Sequence, residues 1–325
     1  MRHGTLDRLR IASCWPFPSA NHLLSLPSQD KSSLYLMLAI CLALFGSFWF
    51  ASAMVSINRG VLSIDYFRGL LTNLGVNTLF LWLYVLLFIH NVDLWLPVNG
   101  VFIIVGVFVP GIARFFIFKG IERLGATISS CLTNSGPLFA IAIAISFLGE
   151  RPRATNILGA VCIVGGITAL SWKGSAKTWR TRDLGFPLAA ALLFAARDNL
   201  VRFAVVQISS PVVGAAIAVT TSFITMGTMY LAFGAKKPLP PDANKGFGYF
   251  AVSGFMNFLS YLFSYTALSL ERVSVISPLV NASSLFILPL SSLLLKDVET
   301  LSPRKIAATA LVILGVFLIS WEKLS

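Results

Sequence analysis

Long apolar runs separated by short polar connections fill the chain from residue 33 to residue 322. A bilayer core of roughly 30 Å asks for about 20 apolar residues per helix. Ten runs of that kind can be read, over 33–57, 69–90, 99–119, 125–148, 155–172, 184–207, 210–234, 247–269, 273–295 and 303–321. Each is expected to be a membrane-spanning helix. The second opens among polar positions, Asn73 and Asn77, before settling into LFLWLYVLLFI. The one basic, apolar-poor connection in the middle of the chain covers 174–183, with Lys177, Arg180 and Arg182, and 236–245 is the other sizeable loop.

The runs come in two matching sets. GIERLGATISSCLTNSGPLFAIAIAISFLGE, from Gly120, lines up with ALSLERVSVISPLVNASSLFILPLSSLLLKD, from Ala267, at a constant offset of 147 residues. Ser130 meets Ser277, Asn134 meets Asn281, Phe139 meets Phe286 and Glu150 meets Asp297; after a short insertion the match closes on Trp172 against Trp321. The first helices align too, with Phe48 opposite Arg197 and Trp49 opposite Asp198. The chain thus divides into a loose tail (1–32), a first five-helix unit (33–172), a basic linker (173–183) and a second five-helix unit (184–325). An odd number of spans per unit turns the second upside down relative to the first. Inverted repeats in a bilayer mark a transporter.

Composition agrees. Apolar residues make up 56% and charged residues 12% of the chain, and the mean hydropathy is +0.81, so the chain belongs in a bilayer. The net charge of +12 would suggest nucleic acid in a soluble protein. With no basic domain or RNA-binding signature, it reads instead as the loop charge of a polytopic protein, and nucleic acid is not an expected partner. Cys14, Cys41, Cys131 and Cys162 show no CxxC pairing and read as small packing residues. The first 32 residues lack the apolar run and cleavage site of a signal peptide.

A first helix with Gly46, Ser47 and Trp49, a third running straight into a fourth rich in Ser, Asn and Pro, and the turn LGERPR before a small-residue fifth helix (Gly159, Gly165, Gly166) together resemble the EamA repeat of the drug/metabolite transporter superfamily. The resemblance covers roughly residues 34–322; the second copy departs from it with KDVETLSPRK in place of GER. It implies an all-α membrane protein of ten transmembrane helices in two inverted five-helix repeats, moving small metabolites, often outward, through a central cavity. It also implies that both termini face the cytoplasm. Basic residues point the other way, since Arg59, Arg68, Lys119, Arg123, Lys177, Arg180, Arg182, Lys236, Lys237 and Lys245 all fall on the side opposite the N-terminus. The orientation stays open at this level.

Charge deep in a bilayer costs about 2.5–3.5 kcal/mol per residue on insertion scales and needs a partner or a wet cavity. Arg114, Arg197 and Asp198 lie mid-span. Arg114 is expected either to hold a substrate carboxylate or phosphate with its donor fork or to pair with Asp198 for packing; a pair that opens on binding does both. Asp198 is the carboxylate deep in a span, hence a candidate proton carrier, or else a clamp for Arg202 one turn on.

Asn134 and Asn281, beside the helix-weakening Gly136, Pro137, Pro278 and Ser283, would offer directional hydrogen bonds near the midplane, or simply tie helices together. Phe48, Trp49, Tyr261 and Tyr265 could complete a cavity, and Tyr261 holds the place in the second repeat that Arg114 holds in the first. Pro110 and Gly111 are candidates for a hinge.

There is no P-loop, HExxH, GxSxG or paired intramembrane aspartate, and His3, His22 and His90 are scattered. Neither an enzyme, a metal nor a cofactor is expected. The reading is a secondary transporter in the plasma or inner membrane. It moves a small organic solute, biased by buried arginine toward amino acids or other carboxylates, with protons as a candidate coupling ion. A non-transporting scaffold or lipid-binding protein on the same fold is the alternative, and the oligomeric state is open.

Overall fold

The computed structural model describes residues 28–90, 94–124, 129, 132–171, 181–208, 210–233, 241–283, 285–286, 289–290 and 303–321, and among these there is no strand. Among the described residues eleven α-helices carry the fold: α1 Ser28–Gly60, α2 Tyr66–Phe88, α3 Asn99–Val107, α4 Ala113–Leu124, α5 Gly136–Phe147, α6 Ala154–Ser171, α7 Gly185–Val205, α8 Pro211–Phe233, α9 Ala243–Leu270, α10 Val273–Asn281 and α11 Pro303–Trp321. Each of the ten apolar runs contains one of them, and the third contains two. Among the described residues, four stretches are long and apolar enough to cross a membrane by themselves: Leu34–Gly60, Phe67–Phe88, Arg182–Val205 and Pro211–Ala232. Most of the tail, most of the basic linker, Ser130, Cys131 and Asp297 lie outside the described residues.

Three of the runs are broken, and the breaks have local causes. Between α3 and α4 the chain widens into a π-helical stretch, Phe108–Ile112, with Val109 extended at φ −126°, ψ 119°. Pro110 has no N–H to return to the Gly106 carbonyl one turn back. The Ser222 hydroxyl, arriving from α8, stands 2.9 Å from that carbonyl and 3.0 Å from the carbonyl of Val109. The bond lost within one helix is thus replaced from its neighbour.

The other two breaks are copies of each other. The fourth run turns at Asn134–Ser135 before α5 begins, and the ninth turns at Ala282–Ser283 after α10 ends. The amide of Ser135 bonds the Leu132 carbonyl at 3.2 Å, and the amide of Ala282 bonds the Leu279 carbonyl at 3.2 Å. The amides of Leu138 and Leu285 likewise reach the carbonyls of Ser135 and Ala282, at 3.0 and 2.9 Å. The repeat written in the sequence is therefore repeated in backbone hydrogen bonds.

Packing follows the same exchange. The α1·α9 contact is answered by α7 against α3 and α4, α2·α9 by α8·α3, and α1·α10 by α7·α5, while α6·α11, α2·α8 and α5·α10 answer themselves. Two repeat-equivalent pairs run antiparallel. A Cβ on Gly159 would stand 2.7 Å from the Gly315 carbonyl, and one on Gly166 2.7 Å from the Ala308 carbonyl, so the α6 numbers rise where the α11 numbers fall. On the second pair, Arg68 Nε donates to Tyr230 Oη at 2.9 Å and Trp82 Nε1 to Thr220 Oγ1 at 2.8 Å. Small residues let these backbones meet, as helix association in lipid requires.

The exterior is apolar and the interior small or polar. Leu79, Leu83, Leu86, Ile224, Ile313 and Phe317 face outward, whereas Ala39, Ala43, Ser47, Asn77, Asn156 and Ser253 are fully buried. A soluble protein sorts these residue types the other way, so this is the surface of a protein solvated by lipid.

Candidate functional site

A cavity of about 430 Å³ lies in the seam between the two units, within the range of small-molecule sites. α7 contributes Phe194, Arg197, Asp198 and Val201; α9 contributes Ser260, Tyr261, Ser264, Tyr265 and Leu268; α10 contributes Ile276, Ser277, Val280 and Asn281. The first unit supplies Phe50 and Met54 from α1, Ile117 from α4, and Ser129, Thr133, Asn134 and Gly136 around the break before α5. Both helix breaks thus open onto the same space, where irregular backbone is tolerated because it faces a cavity and not lipid.

The charge in the wall is a tethered pair. Arg197 donates to Asp198 Oδ1 through Nε at 3.0 Å and Nη2 at 2.7 Å. The second carboxylate oxygen accepts from the Ser277 hydroxyl at 2.6 Å. The Asp198 side chain is 6% exposed and that of Arg197 23%. The guanidinium carbon lies 5.4 Å from the Phe194 ring centroid, one turn back on α7, in cation–π range. Asp198 therefore binds α7 of the second unit to α10, and its partners correct the expected clamp on Arg202. It does not clamp Arg202, which donates to the Leu268 carbonyl in the last turn of α9. Its guanidinium partner among the described residues is its chain neighbour Arg197, and the side chain of Arg114 lies outside them.

Several polar atoms of the residues lining the cavity are unspent. Ser129 Oγ, Ser264 Oγ and Tyr265 Oη are buried and have no hydrogen-bond partner among the described residues. Buried polar atoms left in that state cost about 1–3 kcal/mol each unless water or a solute satisfies them. The Tyr261 and Tyr265 rings lie 5.7 Å apart on one face of α9. They form an aromatic wall with one free hydroxyl at its edge.

The remaining expected residues divide. Asn281 lines the cavity and donates to the Ser277 carbonyl at 2.8 Å, while Asn134 lines it from the other unit. The Val280 carbonyl, released where α10 ends, accepts from Ser47 Oγ of α1 at 3.2 Å. Trp49 is not among the lining residues; it packs edge-on against Phe48, whose ring also meets Phe286. Pro110 and Gly111 sit in the π-helical break one turn before Ala113 and Arg114.

Ser277, Ser264, Ser129 and Phe194 were not singled out from the sequence. Ser277 could have been, since it sits one turn before Asn281 in the repeated segment. Ser264 and Ser129 carry no local signal, because isolated serines are common in membrane helices and only the fold shows which ones face the seam.

The family model described as "EamA-like transporter family" matches residues 37–172 and 184–321, one copy in each unit. Among solved structures, one described only as "Crystal structure of protein" is similar, with a TM-score of 0.65 and 15% identity over 89% of this chain and 95% of that one. At that identity the likeness concerns the fold alone. No curated protein matches the chain.

Proposed function

The chain belongs to the EamA-like transporter family, and on that premise we propose that it is a secondary transporter. It carries a small organic solute through the membrane by rocking two inverted five-helix units about the central cavity. The observation that carries this reading is the cavity itself. It gathers charged and hydroxyl side chains in a protein otherwise built of apolar helices, and both units furnish its walls around their paired breaks. The antiparallel packing of α6 with α11 and of α2 with α8 supports the inversion.

The solute we propose bears a carboxylate, with amino acids the first class to test. Arg197 and Asp198 make a neutral, paired wall. An amino acid could part that pair and satisfy both members, its carboxylate taking the guanidinium and its ammonium the aspartate. The contacts assigned to the solute comprise Asn134, Asn281, Tyr261 and Tyr265, with Arg114 of the third run. Pro110 and Gly111 serve as its hinge. Asp198 is the carboxylate on the wall, so a proton-coupled cycle would run through it. Movement is outward, the direction the resemblance implies.

Purified protein in liposomes loaded with labelled amino acids and organic acids tests the reading. Passage of at least one solute above the rate of empty vesicles is expected. Passage of none would favour a scaffold or lipid-binding role.

A further inference from the structure

The LGER turn docks on the opposite unit. Gly149 adopts φ 64°, a left-handed conformation that glycine accepts without strain, and the Glu150 amide folds back onto the Ala144 carbonyl at 3.1 Å. This reversal delivers the Glu150 carboxylate to the start of α10. Oε1 accepts from the Val273 amide at 2.9 Å and Oε2 from the Ser274 amide at 3.1 Å. α10 has no cap of its own, since the side chain of Arg272 at its N-cap makes no capping bond. Both orphan amides and the positive end of the helix dipole are therefore satisfied by a carboxylate more than a hundred residues away. Arg272 adds a bond to the Arg151 carbonyl at 3.3 Å.

α10 is held a second time three residues later, where Ser277 donates to Asp198. At 1.5 Å of rise per residue the two attachments are about 4.5 Å apart along the helix axis. One attachment faces the cavity and the other faces the end of the protein carrying the turn after α5. Val201, Leu268 and Ile276 are apolar members of the cavity lining. Near the start of α10 lie further unspent polar atoms. Ser274 Oγ, and Thr155 Oγ1 with both amide atoms of Asn156 on α6, which packs against α10, lack partners among the described residues. Water would satisfy these atoms if this end of the seam opened.

We infer that Glu150 is the latch of this end: its carboxylate holds α10 in place while the cavity is closed there, and releases it when the cavity opens to that face. Glu150 is a positioning residue, acting on the solute-facing Asp198 through one turn of α10. The inference rests on the transporter reading. It assigns to the acidic turn a task in the cycle beyond closing a loop.

The test uses the full chain carrying Val280→Cys, a substitution that places a thiol on the cavity wall. It is probed in sealed vesicles with a charged, membrane-impermeant methanethiosulfonate added to one face or the other, above the labelling of the parent's native cysteines. The parent is expected to label from the face opposite the Glu150 turn. Glu150→Gln is expected to raise labelling from the Glu150 face about tenfold, in keeping with the loss of two charge-assisted bonds. Glu150→Asp, shorter by one methylene but still charged, is expected to give a smaller rise and covers the case in which the amide variant does not insert. A folded Glu150→Gln or Glu150→Asp protein that melts earlier yet labels from the same face as the parent would reduce Glu150 to a helix cap and overturn the inference. No labelling of the Val280→Cys thiol from either face would instead sink the transporter reading.

Discussion

Breaking the Arg197–Asp198 pair separates what the cavity needs for stability from what it needs for transport. Asp198→Ala strips the guanidinium of its partner and leaves the Ser277 hydroxyl facing nothing. Removing one member of a buried pair costs about 3–5 kcal/mol. Arg197 keeps 23% of its side chain exposed, and the cavity can hydrate it, so the lower end, about 3 kcal/mol, applies. That is roughly a hundredfold shift in the folding equilibrium. Removing both charges with Arg197→Gln and Asp198→Asn leaves no uncompensated ion, and the amides can still bond each other and Ser277. The double variant should recover at least about 2 kcal/mol of the loss while solute flux stays abolished. Thermal unfolding in nanodiscs gives the first quantity and the liposome flux assay the second. If Asp198→Ala melts with the parent, or the doubly neutral protein transports at the parental rate, the pair is neither buried as described nor part of the solute path.

Further outcomes follow from other contacts. Tyr265→Phe removes a hydroxyl that has no partner among the described residues. Stability should hold or rise by up to about 1 kcal/mol, while the apparent affinity for solute falls about tenfold in concentration-dependent uptake. Ser222→Ala removes the single hydroxyl proton that the Gly106, Val109 and Ala218 carbonyls share at the π-helical break; a loss of about 1–2 kcal/mol and faster hydrogen exchange across Phe108–Ala113 are expected. Gly166→Ala places a Cβ 2.7 Å from the Ala308 carbonyl and 2.5 Å from Val312 Cγ2. Forcing α6 from α11 should cost about 1–3 kcal/mol, read as an earlier melt, whereas Gly185→Ala, which meets nothing within 4 Å, should not.

The residues legible in advance were those whose role is written in local pattern. Asn134 and Asn281 were found because the same amide recurs at the same place in two copies, beside residues that weaken a helix. Tyr261, Tyr265, Arg197 and Asp198 were found because polar or charged groups in an apolar run must face something other than lipid. The geometry of the Arg197–Asp198 pair is not legible in that way. Adjacent residues on a helix project about 100° apart, so helix spacing favours Arg202 at i+4. The long Arg197 side chain instead curls back because Phe194 and the cavity leave it no better place. Trp49 is an aromatic residue on the right helix that is not among those lining the cavity, and face assignment on an all-apolar helix has no amphipathic signal to guide it.

The sequence by itself determined an integral membrane protein of apolar helices in two matching sets, along with the positions where those helices break. Apolar length, proline, glycine and repetition are properties of neighbouring residues, and a bilayer reads them locally. Only the tertiary structure decided that Ser277 holds Asp198 and that Ser222 mends the break at Pro110. The same is true of Glu150, whose carboxylate caps a helix of the other unit. Those bonds join residues tens to more than a hundred positions apart, and their geometry exists only once the helices have packed against one another, within the second unit for Ser277 and between the units for Ser222 and Glu150.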